Sequence, residues 1–281
     1  NSGLNLNYRT GKFNVYGSYN NNISKNANHG HIERSQDFSE QYFKFDDDTF
    51  DELRRPTITR PLLGLTILVV EDSLYACDAI RLMCLHSGAR LRRADCLKSA
   101  RRHLRVYRPS VVIVDMGLPD GNGAELIEEL RCTSSAPGVI LACSGDPFAE
   151  DLAYAAGADG FLAKPLTHLE AFQHAILKNM PADVRPSGPR PVDLDAVHPD
   201  PVTYREDMAY IAEILGGPVD ARAIGYVTSF LRGVAIAAED DALERAASEL
   251  DKAHSQGGPT LGPMSRLAGL VQSRVQDTMA M

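Results

Sequence analysis

Four short apolar runs punctuate the middle of the chain, at Thr66–Val70, 110–114, 139–143 and 161–163. The first is a β-branched run, and all four are largely apolar rather than alternating. Runs of that length and pattern predict strands buried on both faces. The stretches between them carry apolar residues at helical spacing: Cys77, Ile80 and Cys84, then 124–131, 148–156, and Leu169, Phe172 and Ile176. A weaker strand at about 90–93 and a helix at about 99–106 fit between the first two runs. Five strands thus alternate with five helices. The prediction is an α/β fold over residues 62–183, a doubly wound five-stranded parallel sheet with helices on both faces.

The pattern changes on either side. Residues 184–203 hold Pro186, Pro189, Pro191, Pro199 and Pro201, which predicts a stiff linker without a continuous helix. Residues 204–281 then show four helical stripes. These are Ile211, Ile214 and Leu215; Ile224, Val227, Leu231 and Val234; Leu243, Ala246, Ala247 and Leu250; and Leu267, Leu270, Val271 and Val275. Gly216-Gly217 and Gly257-Gly258 break them. A small all-α bundle is expected, as an output or docking module.

Residues 1–60 differ in composition. Nine Asn fall in the first 30 residues, against two, Asn122 and Asn179, after residue 60. Leu4, Leu6 and Tyr8 alternate with polar neighbours, and Phe13, Val15, Tyr16 and Tyr19 follow, a hairpin pattern of period 2. This stretch is similar to one hairpin of a TonB-dependent outer-membrane β-barrel, but one hairpin closes no barrel. The segment is read as a low-order leader, foreign or disordered by composition, and its acidic run Asp46-Asp47-Asp48 as solvated tail. The chain begins with Asn and shows no signal segment, which suggests a fragment or a processed form.

Composition narrows the function. The formal net charge is −8, which argues against nucleic acid or an anionic membrane as partner. No stretch approaches the ~18–20 apolar residues of a membrane helix. Cys77, Cys84, Cys96, Cys132 and Cys143 form no CxxC pair, so a reducing cytoplasm is expected.

Chemistry in a parallel sheet collects beyond the carboxyl ends of the strands. Glu71 and Asp72 follow the first strand, Asp115 the third, Ser144 the fourth, and Lys164-Pro165 the fifth. Three close carboxylates raise one another's pKa unless a cation intervenes. Hard oxygen ligands in so small a number suit Mg²⁺. A carboxylate beside such an ion can attack a phosphoryl group and form an acyl phosphate, a reaction that needs positioning and charge neutralisation. Asp115 is the expected phosphoacceptor, with Lys164 and Ser144 meeting phosphoryl oxygens.

These residues sit in motifs that resemble the response-regulator receiver domain of two-component signalling. The motifs are Ile67-Leu68-Val69-Val70-Glu71-Asp72-Ser73, Val111-Val112-Ile113-Val114-Asp115-Met116-Gly117-Leu118-Pro119-Asp120-Gly121, Ser144-Gly145, and Gly157-Ala158-Asp159-Gly160-Phe161-Leu162-Ala163-Lys164-Pro165. The resemblance implies a flavodoxin-like sheet. It implies that Asp115 accepts phosphate from a histidine kinase or phosphotransfer protein. It implies Mg²⁺ on Glu71, Asp72, Asp115 and the main-chain carbonyl of Gly117. It also implies phosphoryl contacts from Ser144 and Lys164, a switch role for Phe161, a cis bond before Pro165, a protein output partner and an option to dimerise. Departures are a spacing from Ser144 to Lys164 about two residues short, the bare Gly117, and Asp146 two residues past Ser144. The expected function is a phosphorylation switch of a protein-binding surface rather than an enzyme.

Two other functions compete with this one. A transcription factor binding DNA through residues 204–281 is opposed by seven basic residues against eleven acidic ones there, and by the lack of a helix-turn-helix pattern. A phosphohydrolase built on an Asp nucleophile lacks its acid, since Gly117 occupies the place of the second Asp. The histidines, His254 included, show no metal spacing and receive no role. Arg101, Arg102, Arg105 and Arg108 are read as a solvated face.

Overall fold

The structure, a computed structural model, describes residues 60–133, 136–146, 148–181, 197–217 and 219–276. It also describes the backbone of four N-terminal strands. Among these, β1 (Leu4–Thr10) pairs antiparallel with β2 (Phe13–Tyr19), and β3 (His31–Arg34) with β4 (Gln41–Lys44). The acidic run at 46–48 and the prolines at 186, 189 and 191 lie outside the described residues.

From residue 66 the chain alternates strand and helix. The order is β5 (Thr66–Val70), α1 (Leu74–Ser87), β6 (Arg90–Ala94), α2 (Leu97–Val106) and β7 (Val111–Asp115). A two-residue hairpin, β8 (Gly117–Leu118) with β9 (Gly121–Asn122), leads into α3 (Gly123–Cys132). Then come β10 (Val139–Ser144), α4 (Ala149–Ala155), β11 (Gly160–Ala163) and α5 (Leu169–Leu177). The large sheet is five-stranded and parallel, in the order β11-β10-β7-β5-β6. The first strand thus lies between the second and third, the flavodoxin-like order, and the switch point falls between β5 and β7.

The uniform hydrophobicity of the strands has a direct cause. Ile67, Val69, Val111, Ile113, Val139 and Leu141 enter one core, packed against α1 and α5. Leu68, Val70, Val112, Val114, Ile140 and Ala142 enter the other, packed against α2 and α3. Both sides of the pleat are covered, so no polar position interrupts the runs.

Four helices follow: α6 (Pro201–Gly216), α7 (Ala221–Ala237), α8 (Asp241–Ser255) and α9 (Leu261–Gln276). Their stripes close on a separate core of Met208, Ile211, Val227, Leu231, Leu243, Leu250, Leu267 and Val271. Helix α6 starts at Pro201, inside the stretch expected to be linker. Proline is tolerated at the first helical position because its missing N–H would be unpaired there anyway, and the Asp200 side chain accepts from Val202 N.

One polar node ties the bundle together. The Asp240 carboxylate takes a bidentate contact from Arg274 of α9, Nε at 2.7 Å and Nη2 at 3.2 Å. It also accepts from Tyr204 OH of α6 at 2.8 Å and from Leu243 N of α8 at 3.1 Å. The Arg274 contact, opposed by partial burial, lowers the Asp240 carboxyl to about 2. A folded pKa below the unfolded one stabilises above the unfolded value, and that stability is lost as pH falls from about 4 toward 2. Asp240→Asn should therefore cost about 1–2 kcal/mol at pH 7, discounted for partial solvent exposure. Thermal unfolding against pH checks this: the gap between native and variant should shrink below pH 4.

Candidate phosphoacceptor site

The carboxyl ends of the strands deliver the predicted side chains to one cavity. Glu71, Asp72, Asp115, Gly117, Ser144, Asp146 and Lys164 all line it. Oxygens of Glu71, Asp72 and Asp115 lie within 4.8 Å of one another. The Lys164 ammonium reaches across from the end of β11, 2.8 Å from Glu71 Oε2 and 2.9 Å from Asp115 Oδ2. Glu71 Oε2 is buried and has no hydrogen bond in good geometry, only this ion pair.

The electrostatics follow from that crowding. Burial raises the Glu71 carboxyl well above its ordinary value; Lys164 opposes, while Asp115 and Asp72 add to the rise. Burial, together with the charge of Asp115, raises Asp72 to about 7. Burial alone would lower Lys164, but the Asp115 and Glu71 carboxylates hold its ammonium well above the ordinary range. Three carboxylates thus share one ammonium. Hard oxygens short of positive charge, one of them a buried Glu71 oxygen whose one contact is the Lys164 ion pair, fit a small divalent cation.

Local structure holds these groups in place. Arg93 of β6 braces the acidic turn, its Nη2 on Asp72 O at 2.8 Å and Nε on Glu71 O at 3.3 Å. Gly117 N donates to Asp115 Oδ1 at 3.3 Å. Gly123 is packed too tightly for any side chain, since a Cβ there would stand 2.1 Å from the Asp115 carbonyl oxygen. Ser144 Oγ accepts from Asp146 N at 3.1 Å, and Asp146 in turn accepts from Phe148 N. The Lys164–Pro165 bond is cis. Phe161 does not line the cavity; it packs, half-buried, on the core beneath α4.

Four residues of the helical region reach the site or the helix beside it, and the sequence pattern does not predict them. Tyr226 OH of α7 donates to Asp72 Oδ2 at 2.7 Å. Ser229 and Arg232 of α7 line the same cavity. Asp207 of α6 caps α1 from outside, accepting from Ser73 Oγ at 2.7 Å, Leu74 N at 2.8 Å and Tyr75 N at 3.1 Å. Asp207 sits on the apolar stripe that contains Ile211, and a carboxylate at a core position was the available signal.

Residues 67–176 match the response regulator receiver domain family. The chain therefore carries a receiver domain on this sheet. It is similar to the KDP operon transcriptional regulatory protein KdpE of Escherichia coli K12, 31% identical over 122 residues, which is 43% of this chain and 54% of that protein. It is similar to the transcriptional regulatory protein PhoP of the same strain, 28% identical over 107 residues, 38% of this chain and 48% of that one. A putative response regulator from Chloroflexus aurantiacus aligns with a TM-score of 0.38 and 28% identity, covering 41% of this chain and 98% of that one. The chain spans about half the length of the curated relatives it matches. Those relatives are named as transcriptional regulators, so they lend no support to the expectation that nucleic acid is excluded. No described helix is long and apolar enough to cross a membrane.

Proposed function

We propose that Asp115 accepts a phosphoryl group from a histidine kinase or phosphotransfer protein, and that this changes how α6–α9 sit on the receiver domain. The observation that carries this reading is Lys164 bridging Glu71 and Asp115 beside Asp72. In the reaction, an Asp115 carboxylate oxygen forms a bond to phosphorus as the donor's bond to phosphorus breaks. The bonding pair stays on the donor nitrogen, which takes a proton from water. Glu71, Asp72, Asp115 and the Gly117 carbonyl would hold Mg²⁺, which neutralises phosphoryl oxygens. Lys164 then exchanges its Asp115 oxygen for a phosphoryl oxygen, and the Ser144 hydroxyl turns from Asp146 N to another. Phe161, half-buried on β11 against the core, is the candidate to follow Ser144 and alter the neighbouring surface.

The described helical region supports a role as the switched element. Helix α7 covers the cavity, so a protein donor reaches Asp115 only with α7 displaced. Acetyl phosphate with Mg²⁺ should add one phosphoryl group to the native protein, as read by intact mass. Asp115→Asn, and native protein with the metal chelated, should stay unmodified. Equal labelling of native protein and variant would remove the site.

A second reading is favoured by the transcriptional regulators among the relatives: that residues 204–281 act on DNA when phosphorylation releases them. A salt-dependent duplex shift by the phosphorylated chain, absent in Asp115→Asn, would establish it; the acidic excess of the region predicts none.

A further inference from the structure

We propose that Arg232 and Ser229 of α7 are phosphoryl ligands, so that a phosphoryl group on Asp115 is held by both the receiver domain and the helical region. This rests on the reading of Asp115 as phosphoacceptor.

Helix α7 is fitted to the site along one face. Tyr226 reaches Asp72, Ser229 stands over Gly117, and Gly233 lies against Gly145. A Cβ on Gly117 would stand 3.3 Å from Ser229 Oγ, and one on Gly145 would stand 3.5 Å from Gly233 Cα. Positions 226, 229 and 233 are spaced by three and four, so they share a helix face. Gly117 is the bare residue that lets the helix come close, since a Cβ there would crowd Ser229 Oγ. What remains between them is a cavity of about 40 Å³, lined by Asp115, Ser144 and Lys164 from one side and by Ser229 and Arg232 from the other. On the scale of ~10–15 Å³ per water, this holds a few waters or a small anion.

Arg232 is the unexplained member. Its Nε is buried and has no hydrogen-bond partner. Its nearest carboxylate, Asp251, stands 4.0 Å from Nη1, at the limit of an ion pair. The side chain as a whole is 34% exposed, and within it this one buried donor lacks an acceptor, which calls for a missing group. A phosphoryl oxygen supplies the acceptor, and a guanidinium fork matches phosphate geometry. The charges agree. A phosphorylated Asp115 carries about two negative charges, and Glu71 and Asp72 add two more. Asp146 lines the same cavity as a further carboxylate, so the three positive charges of a divalent cation and Lys164 leave a negative excess that Arg232 reduces. A phosphoryl group on Asp115 therefore changes how α7 is held, adding contacts to Ser229 and Arg232 to the bond between Tyr226 and Asp72.

The test uses the full chain and beryllium trifluoride with Mg²⁺, an anion that binds a carboxylate oxygen and takes the shape of a phosphoryl group. Affinity is read by fluorine NMR titration. Arg232→Gln should weaken binding about 10–100-fold, the range for one charge-assisted hydrogen bond. Ser229→Ala, at an exposed position that tolerates the change, should weaken it about 3–10-fold. Tyr226→Phe, which loosens the same helix and removes the hydrogen bond to Asp72 but no phosphoryl donor, should weaken binding less than Arg232→Gln does. Arg222→Gln, on the same helix but away from the cavity, should bind as the native protein does. Native affinity in both Arg232→Gln and Ser229→Ala, with binding lost in Asp115→Asn, would overturn the inference and leave the acceptor reading intact. An equal loss in Arg232→Gln and Tyr226→Phe would overturn it too, since helix position alone would then matter. Binding retained in Asp115→Asn, or absent from the native protein, would overturn the acceptor reading itself.

Discussion

Replacing Lys164 with Met should lower stability by about 3 kcal/mol at neutral pH in the absence of divalent cations. Breaking a buried pair by removing one partner typically costs about 3–5 kcal/mol. The low end is expected because Glu71, whose carboxyl is already pushed up by burial, takes up a proton in place of the lost ammonium. At about 2–4 °C per kcal/mol for a region of this size, the melting temperature should fall by about 6–12 °C. Met keeps the length of the stem, so packing loss contributes little. Mg²⁺ should stabilise the variant more than the native protein, because the carboxylates left unpaired then gain a cation. Thermal unfolding of both proteins with and without Mg²⁺ checks this. Equal melting temperatures without metal would mean that the 2.8 Å and 2.9 Å contacts of Lys164 carry no free energy.

Asp207→Ala should cost about 2–4 kcal/mol, through the seam between α6 and α1. Removing one partner of a buried hydrogen bond leaves the other's desolvation uncompensated, at about 1–3 kcal/mol per group. Asp207 serves three donors, two of them first-turn N–H groups of α1 that no residue within the helix can satisfy. Burial raises the Asp207 carboxyl, and these same three bonds work against the rise. In the variant either the donors stay buried and unpaired or α6 lifts away and water replaces the carboxylate. Both outcomes are visible in amide hydrogen exchange: Leu74 and Tyr75 should exchange at least about tenfold faster. Asp207→Asn, which keeps an acceptor oxygen, should lie between the two. Unchanged exchange at Leu74 and Tyr75 would show that the cap is dispensable.

The sheet was readable because both faces of β5, β7 and β10 are covered, which leaves unbroken apolar runs. The cluster was readable because a parallel sheet sends residues 71, 72, 115, 144 and 164 to one edge once the strands are placed. The β8–β9 hairpin was not, since two residues are too few for a period. Nor was the docking of α7. Its stripe of Ile224, Val227, Leu231 and Val234 predicts one buried face, and nothing in that periodicity says that the opposite face is covered as well. Ser229 and Gly233, four apart on that face, were the trace of it, small residues where a surface helix ordinarily carries charge. Asp207 and Ser73 are 134 residues apart, and no local pattern links an acid on one helix to the open N-terminus of another.

The most direct measurement is chemical. An acyl phosphate is reduced by borohydride to the alcohol, so a phosphorylated aspartate becomes homoserine and its position can be read by peptide sequencing. After treatment with acetyl phosphate and Mg²⁺, homoserine should appear at position 115 and nowhere else. Homoserine's counterpart at Glu71, conversion at Asp72, or a phosphate that survives mild base and is not reduced would contradict the account.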